Sequence, residues 1–358
     1  MKKAVIILYN NEVSEIVMYH KMICNYEIVQ VVSPSGWGLS QKDAGSVDGG
    51  ISTEYVIKDD IDYNVEFEVV LLLTPITENL LYQVYNVYLK RAIHEGKLIV
   101  CTKRNGDFLV KLFNDCKDCI IMIEEKTNYD IKRMGKIETP IIVVAGTHEQ
   151  TNKFKIQLEL KRYLEKNKYK TILVGSKSFS KIFDCYQFPT FMFQNITERE
   201  KILAFQGYIR NIEKNEHPDI IIIGVPGGMM PFNEKFPGNF GITLYEVMLA
   251  IQPDAFVLSC LYEEYDNEYF EEIKNVVKYR FGVEIDCFNI ATFQVDINES
   301  EQSDSLQYFK LSQKAVDSMI RNLTQKIPIF NISNGVDGTR MAEFITHRLE
   351  EYSEAEFV

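Results

Sequence analysis

Short runs of wholly apolar residues recur along this chain, each followed by a longer amphipathic stretch. Ala4–Leu8, Val69–Leu73, Ile141–Ala145 and Ile220–Ile223 are the clearest of them. A strand buried on both faces has no polar side, so it reads as a continuous apolar run rather than an alternating one. None of these runs approaches the ~20 residues that a membrane span needs. Strands and helices in alternation cover a sheet on both faces, which predicts an α/β fold with mainly parallel sheets.

The first part of the chain carries predicted strands at 5–9, 27–32, 69–73, 97–101 and 119–123. Val13–Met22 reads as a helix between the first two strands. Thr74-Pro75 is expected to open another, with Leu80, Leu81, Val84, Val87 and Tyr88 on one face. Residues 124–139 are charged, contain Gly135 and form the expected linker. Beyond it, strands are predicted at 141–145, 171–174, 220–223, 255–259 and 327–331. Helices are predicted at 153–165, 196–214, 242–251, 267–280, 307–323 and 339–351. In the first of these, Ile156, Leu160, Tyr163 and Leu164 share one face. Asn298–Ser305 reads as a short acidic loop. At about 150 residues per domain, a chain of 358 makes two, here expected as 1–132 and 138–358.

Composition excludes several classes. Hydrophobic residues are 46% and charged residues 25%, as in ordinary globular proteins and unlike disordered or rod-like chains. Thirty-nine basic against 51 acidic residues give a net charge of −12. That field opposes contact with nucleic acid and with anionic membrane, so neither is expected as a partner. The seven cysteines are odd in number and irregular in spacing, which fits reduced thiols and a cytoplasmic location. The apolar run after Met1-Lys2-Lys3 stops at Asn10, too soon for a secretory signal.

The most informative segment is Pro140-Ile-Ile-Val-Val-Ala-Gly146-Thr147-His148-Glu149-Gln150-Thr151-Asn152-Lys153-Phe154-Lys155. A strand runs into a turn that opens a helix with lysine at its start, as in a phosphate loop. Lys153 stands seven residues after Gly146, one more than in the common loop. The segment resembles the longer Gly-Thr-x-x-x-x-Gly-Lys-Thr form of dethiobiotin synthetase-like enzymes in Gly146, Thr147 and Lys153. It departs from that form at Asn152, where the second glycine stands, and at Phe154, where a hydroxyl ligates Mg²⁺. Downstream, Gly224-Val225-Pro226-Gly227-Gly228 aligns with Glu-Gly-Ala-Gly-Gly, so the metal-assisting Glu falls on Gly224. Asp219 lies at the other end of that strand. Gly146, Thr147, His148, Asn152, Lys153, Gly227 and Gly228 are therefore candidates for holding a phosphate or nucleotide. ATP or phosphate, bound weakly and without Mg²⁺, is the most these residues allow, and no metal site is expected. The other reading is a plain strand-to-helix turn with a surface lysine.

Other constellations carry less. Gly36, Trp37 and Gly38 open a glycine-rich loop, residues 33–50, at the carboxyl edge of the first predicted sheet. An exposed Trp on a glycine loop suits a partner or ligand, although a mobile surface loop explains it as well. Cys116-Lys117-Asp118-Cys119 lacks a second ligand pair for zinc. Asn331–Arg340 is a glycine-bearing turn before a helix. It suits an anion aided by Arg340, or a turn capped by Asp337 or Thr339.

A Rossmann-like domain followed by a P-loop NTPase-like domain looks like the layout of a family of uncharacterised proteins. More narrowly, the chain resembles the clostridial peptide maturation system proteins. That likeness rests on element order and on the Val144-Ala145-Gly146-Thr147 and Val225-Pro226-Gly227-Gly228 segments. Membership implies an accessory role in maturing a ribosomally made peptide natural product. The partners it implies are the precursor peptide or a modifying enzyme of the same pathway. No catalytic residue carries over from the family. The alternative is an ATP-dependent enzyme, ligase-like or kinase-like, which the substitutions at 152, 154 and 224 disfavour.

Overall fold

The computed structural model describes residues 1–49, 52–113, 117–124, 135–238 and 240–355, without the side chains of 352–355. The chain divides into two compact units, residues 1–125 with 178–187 and residues 126–177 with 188–358. Both are α/β with mainly parallel sheets.

The first unit holds β1 (Lys2–Ile6), α1 (Ser14–Met18), β2 (Tyr26–Val32), β3 (Ile57–Lys58), β4 (Val69–Leu72), α2 (Glu78–Val84) and α3 (Lys90–His94). It continues with β5 (Leu98–Thr102), α4 (Lys103–Leu112) and β6 (Ile120–Ile123). Its six strands run in the order β3-β2-β1-β4-β5-β6, all parallel. The apolar runs are the central strands, as their lack of a polar side requires: all four residues of β4 are buried. Thr74 does not open a helix. Its hydroxyl donates to the Leu8 carbonyl at 2.8 Å, and Thr77 caps α2 instead. Helix α4 has no counterpart in the apolar pattern. Its first turn, Lys103-Arg104-Asn105, is polar and Gly106 interrupts it. The glycine serves packing, since a Cβ there would fall 2.6 Å from Met122 Cγ on β6.

The second unit holds β7 (Ile141–Gly146), α5 (Lys153–Lys166), β8 (Thr171–Gly175), α6 (Glu198–Glu216), β10 (Ile220–Gly224) and α7 (Ile242–Ala250), and its sheet ends on β9 (Tyr186–Gln187) of the 178–187 segment. It continues with β11 (Ala255–Cys260), α8 (Asn267–Phe281), β12 (Cys287–Ile290), β13 (Phe293–Asp296), α9 (Ile297–Ser303) and β14 (Gln307–Lys310). α10 (Gln313–Arg321), β15 (Ile329–Phe330) and α11 (Asp337–Ala355) complete it. The sheet order is β15-β12-β11-β7-β10-β8-β9. β7 is central and parallel to both β10 and β11. α5 and α11 pack together on one face of this sheet. Right-handed crossovers put α6, α7 and α8 on the other.

Two expectations fail here, and one strand was not foreseen. Residues 298–305 fall largely in helix α9, whose first turn is capped by the Asp296 carboxylate accepting from the Glu299 amide at 3.0 Å. The helix expected at 307–323 starts at 313, because 307–310 pairs antiparallel with β13. Phe293 and Val295 of that hairpin cover Leu261, a period-2 pattern too short to stand out. Strand β12 went unread because Asn289 interrupts its apolar run. Most of the expected linker, and Cys116 of the CxxC pair, lie outside the described residues.

The α6–α7 packing includes a buried ion pair. Glu246 on α7 is 2% exposed and accepts from Lys201 on α6 at 3.2 Å. Burial pushes the Glu246 carboxyl above its ordinary value, and Lys201 pulls the other way. Removing the lysine leaves an unpaired buried charge at neutral pH, which costs about 3 kcal/mol. As pH falls to 4, through the ordinary Glu range, the carboxyl takes up its proton and the unpaired charge disappears, so the cost shrinks. Lys201→Ala is therefore expected to destabilise clearly at pH 8 and little at pH 4, read from denaturant midpoints at both pH values.

Candidate functional site

All six residues of β7 are buried, with hydrogen-bonded neighbours on both sides, so only the strand's carboxyl end is free to carry chemistry. From Gly146 the chain turns through residues 147–152 into α5. Gln150 and Asn152 are left-handed, at φ 55° and 59°, with Thr151 between them. Left-handed residues flanking one that is not left-handed are the kind of backbone from which anion nests are built. Among the described residues, the amides of 148–153 meet no acceptor. Asn152 was expected to crowd the place of the second glycine. It takes the left-handed conformation instead, which Asn tolerates better than most side chains. Its Nδ2 reaches Ser333 Oγ at 3.4 Å.

Lys153 is not on the surface. It is 8% exposed, and Nζ donates to the His148 carbonyl at 3.0 Å and the Gly227 carbonyl at 2.7 Å. Burial pulls its pKa down to about 8; Glu149 opposes that shift and Lys177 adds to it. The ammonium therefore sits inside the loop beside those amides.

A second loop closes over the first. After β10, the Met229 and Met230 amides donate to the Gly146 and Thr147 carbonyls at 3.0 and 2.9 Å. Gly228 lies flat against the turn, where a Cβ would fall 2.6 Å from His148 Cα and 2.8 Å from the Thr147 oxygen. Gly227 is left-handed at φ 79° with open space around it. The structure thus brings Gly146, Thr147, His148, Asn152, Lys153, Gly227 and Gly228 together.

His148 is half-buried, with Nδ1 3.1 Å from Thr147 Oγ1 and its ring edge-on to Phe232 at 5.8 Å. Burial lowers its pKa against an opposing hydrogen bond with the Pro231 carbonyl, which leaves the ring neutral near pH 7. Cys260 at the end of β11 shares a hydrogen bond with Thr147. Burial pushes that thiol up to about 12, so it is no nucleophile.

The residues do not fit Mg²⁺. Phe154 is 1% exposed and has no oxygen. The space beside Gly224 is filled: a Cβ there would fall 2.1 Å from Gln157 Nε2. The Gln157 amide is engaged with Ser176, at 2.9 Å to its hydroxyl and 3.1 Å from its backbone amide. Asp219, at the far end of β10, accepts from the Lys170 amide at 2.7 Å. The two positions that ligate magnesium in the resembled loop thus carry no side-chain oxygen here.

Sequence reasoning missed what holds the loop. Ser259 Oγ donates to the Thr151 carbonyl, Asn289 Nδ2 donates to Ser259 Oγ at 2.8 Å, and Asn289 Oδ1 accepts from the Ile332 amide at 3.1 Å. Ser259 and Asn289 are fully buried. Their signal was a polar residue at the carboxyl end of an apolar strand. The turn 331–340 is capped by Asn334, which accepts from the Val336 and Asp337 amides at 3.0 and 2.9 Å. Neither Asp337 nor Thr339 plays that part. Arg340 lies 3.4 Å from the Asp337 carboxylate. Gly36, Trp37 and Gly38 belong to the first unit and form a short exposed turn, with Trp37 36% exposed and Gly38 left-handed at φ 66°.

No protein-family model matches the chain. No curated protein matches its sequence. Among solved structures, the chain is similar to a DUF1611 family protein from Anabaena variabilis. The TM-score is 0.61 at 13% identity, over 98% of this chain and 100% of that one. That likeness shows a shared two-unit α/β fold. A plasmid partition protein from Borrelia burgdorferi aligns at TM-score 0.37 and 13% identity, over 61% of this chain and 99% of that one. The cell division protein MinD from Aquifex aeolicus aligns at 0.30 and 10%, over 59% and 87%.

The two glycines facing the loop separate packing from backbone freedom. Gly228→Ala meets backbone atoms that cannot move aside, and is expected to cost about 1–3 kcal/mol. Gly227→Ala meets only left-handed strain of about 1 kcal/mol. Chemical denaturation of both variants checks the order.

Proposed function

We propose that the second unit is a phosphate-binding module of P-loop type that holds inorganic phosphate or a nucleotide without Mg²⁺ and without efficient turnover. One observation carries this reading: a buried lysine ammonium beside a turn whose amides at 148–153 meet no acceptor among the described residues, with both metal-ligating positions of the resembled loop replaced. Nest and ammonium favour an anion, and a compact tetrahedral one matches converging amides. Phosphoryl transfer needs a metal or an equivalent charge clamp at the leaving oxygens. Phe154 and Gly224 supply none, which favours binding over catalysis.

Around this module we place an accessory role in the maturation of a ribosomally made peptide, with the precursor peptide or a modifying enzyme as partner. The Trp37 turn is the surface we assign to that partner. Support for this wider role is the sequence likeness alone. Co-purification with the products of neighbouring genes tests it, and a wild-type chain that retains none of them counts against it.

Calorimetry with phosphate, pyrophosphate and ATP, each with and without Mg²⁺, tests the module. Binding in the range of roughly 0.1–1 mM is expected, unchanged by the metal. Lys153→Ala is expected to weaken it at least about tenfold, the loss of one charge-assisted hydrogen bond. Anion binding needs the protonated lysine. Affinity should therefore hold below pH 8 and fall roughly tenfold per pH unit above it, until the amides alone remain. Magnesium-dependent ATP hydrolysis that disappears in Lys153→Ala would overturn the reading and promote the ATP-dependent enzyme.

A further inference from the structure

Helix α7 is apolar on both of its sides. Leu244, Val247 and Ala250 face the core and are buried. Ile242, Tyr245 and Leu249, at i, i+3 and i+7, are 51%, 45% and 47% exposed. A helix that is hydrophobic all round is normally buried all round. The exposed stripe is widened by Phe240 just before the helix, 51% exposed, and by Val276 and Tyr279 of α8, at 37% and 82%. The two helices are joined here: the Tyr245 and Phe281 rings lie 6.4 Å apart, and Arg280 donates to the Phe240 carbonyl. These links set the exposed residues of α7 beside those of α8 within the second unit.

Size and charge say what covers it. A fully exposed side chain of this kind offers about 180 Å², so the patch presents roughly 550 Å². That is at the upper end for a monomer surface. Two copies face to face would bury roughly 1,100 Å² before any rim is counted, close to a standard stable interface. The rim is balanced in sign. Lys274 pairs with Glu271 at 2.9 Å, and Lys278 pairs with Glu284 at 2.6 Å. A patch built for an acidic or a basic partner would carry a net charge of the other sign. A neutral rim of paired charges suits its own copy, because the pairs can exchange across a two-fold axis. Local neutrality also matters in a chain of net charge −12, where copies repel one another elsewhere.

We propose that the α7–α8 face, centred on Tyr245, Leu249 and Tyr279, is the interface of a two-fold symmetric homodimer. Sedimentation velocity and light scattering across 1–100 μM, as order-of-magnitude limits, test this on the full chain. A dimer in the micromolar range or tighter is expected. Tyr279→Glu and Leu249→Glu each place an acid on the patch and are expected to weaken association at least about 30-fold, with unchanged thermal melts. Should either variant melt early, hydrogen exchange of the wild-type chain decides. Amides of α7 and α8 should gain protection as concentration rises. A wild-type monomer at 100 μM overturns the proposal, as does a dimer that both folded variants keep. Exchange in α7 and α8 that ignores concentration overturns it too.

Discussion

A lysine ammonium held by two backbone carbonyls is the interaction on which the second unit's loop geometry depends. Taking a cation out of water is costly unless dipoles or counter-charges replace the hydration. Here the His148 and Gly227 carbonyls do this, at 3.0 and 2.7 Å. One belongs to the turn after β7 and the other to the turn after β10, so the same side chain that needs solvation ties two loops together. No ion pair to a carboxylate neutralises Lys153 among the described residues. The group's displaced pKa, about 8, measures how incomplete the replacement is. On the proposed reading, an arriving anion would restore the balance.

The rest of the arrangement keeps backbone close to backbone around that ammonium. Gly146 and Gly228 are small because neighbouring atoms leave no room for a Cβ: at Gly146 it would fall 2.3 Å from Thr151 Oγ1. The buried chain from Asn289 through Ser259 to the Thr151 carbonyl fixes the far side of the turn from two adjacent strands. A loop with open amides would otherwise satisfy them by collapsing, since buried amides seek acceptors. Rigid strand ends on three sides hold them apart. The cost of such a site is met by the apolar sheet beneath it, whose central strands are buried on both faces.

Charge acts on two scales in this protein. The net charge of −12 repels anions at distances set by the Debye length, about 8 Å at physiological salt. The positive character of the 146–153 loop is local and partly desolvated, so salt screens it less. The proposed anion binding would therefore rest on short-range hydrogen bonding rather than on steering. The same balance applies to the α7–α8 surface, where apolar contact must outweigh a general repulsion and the paired rim removes its nearest part.

Periodicity alone determined the α/β class and most of the long elements. An apolar run such as Ile220–Ile223 admits few environments, and the buried parallel strand is one of them. Motif spacing, not periodicity, singled out the segment from Gly146 to Lys153, and the resemblance it carries marked Phe154 and Gly224 as departures. Elements whose pattern is broken by one residue stayed hidden: α4 by Gly106, and β12 by Asn289. In both, the breaking residue is explained only by a partner distant in sequence, Met122 for the first and Ser259 for the second. The handedness of Asn152, the burial of Lys153 and the Gln157 amide that fills the space at Gly224 were likewise decided by the tertiary structure. Spacing along a chain records which residue types are present. Solvation of a charge, and room for a side chain, depend on atoms that only folding brings near.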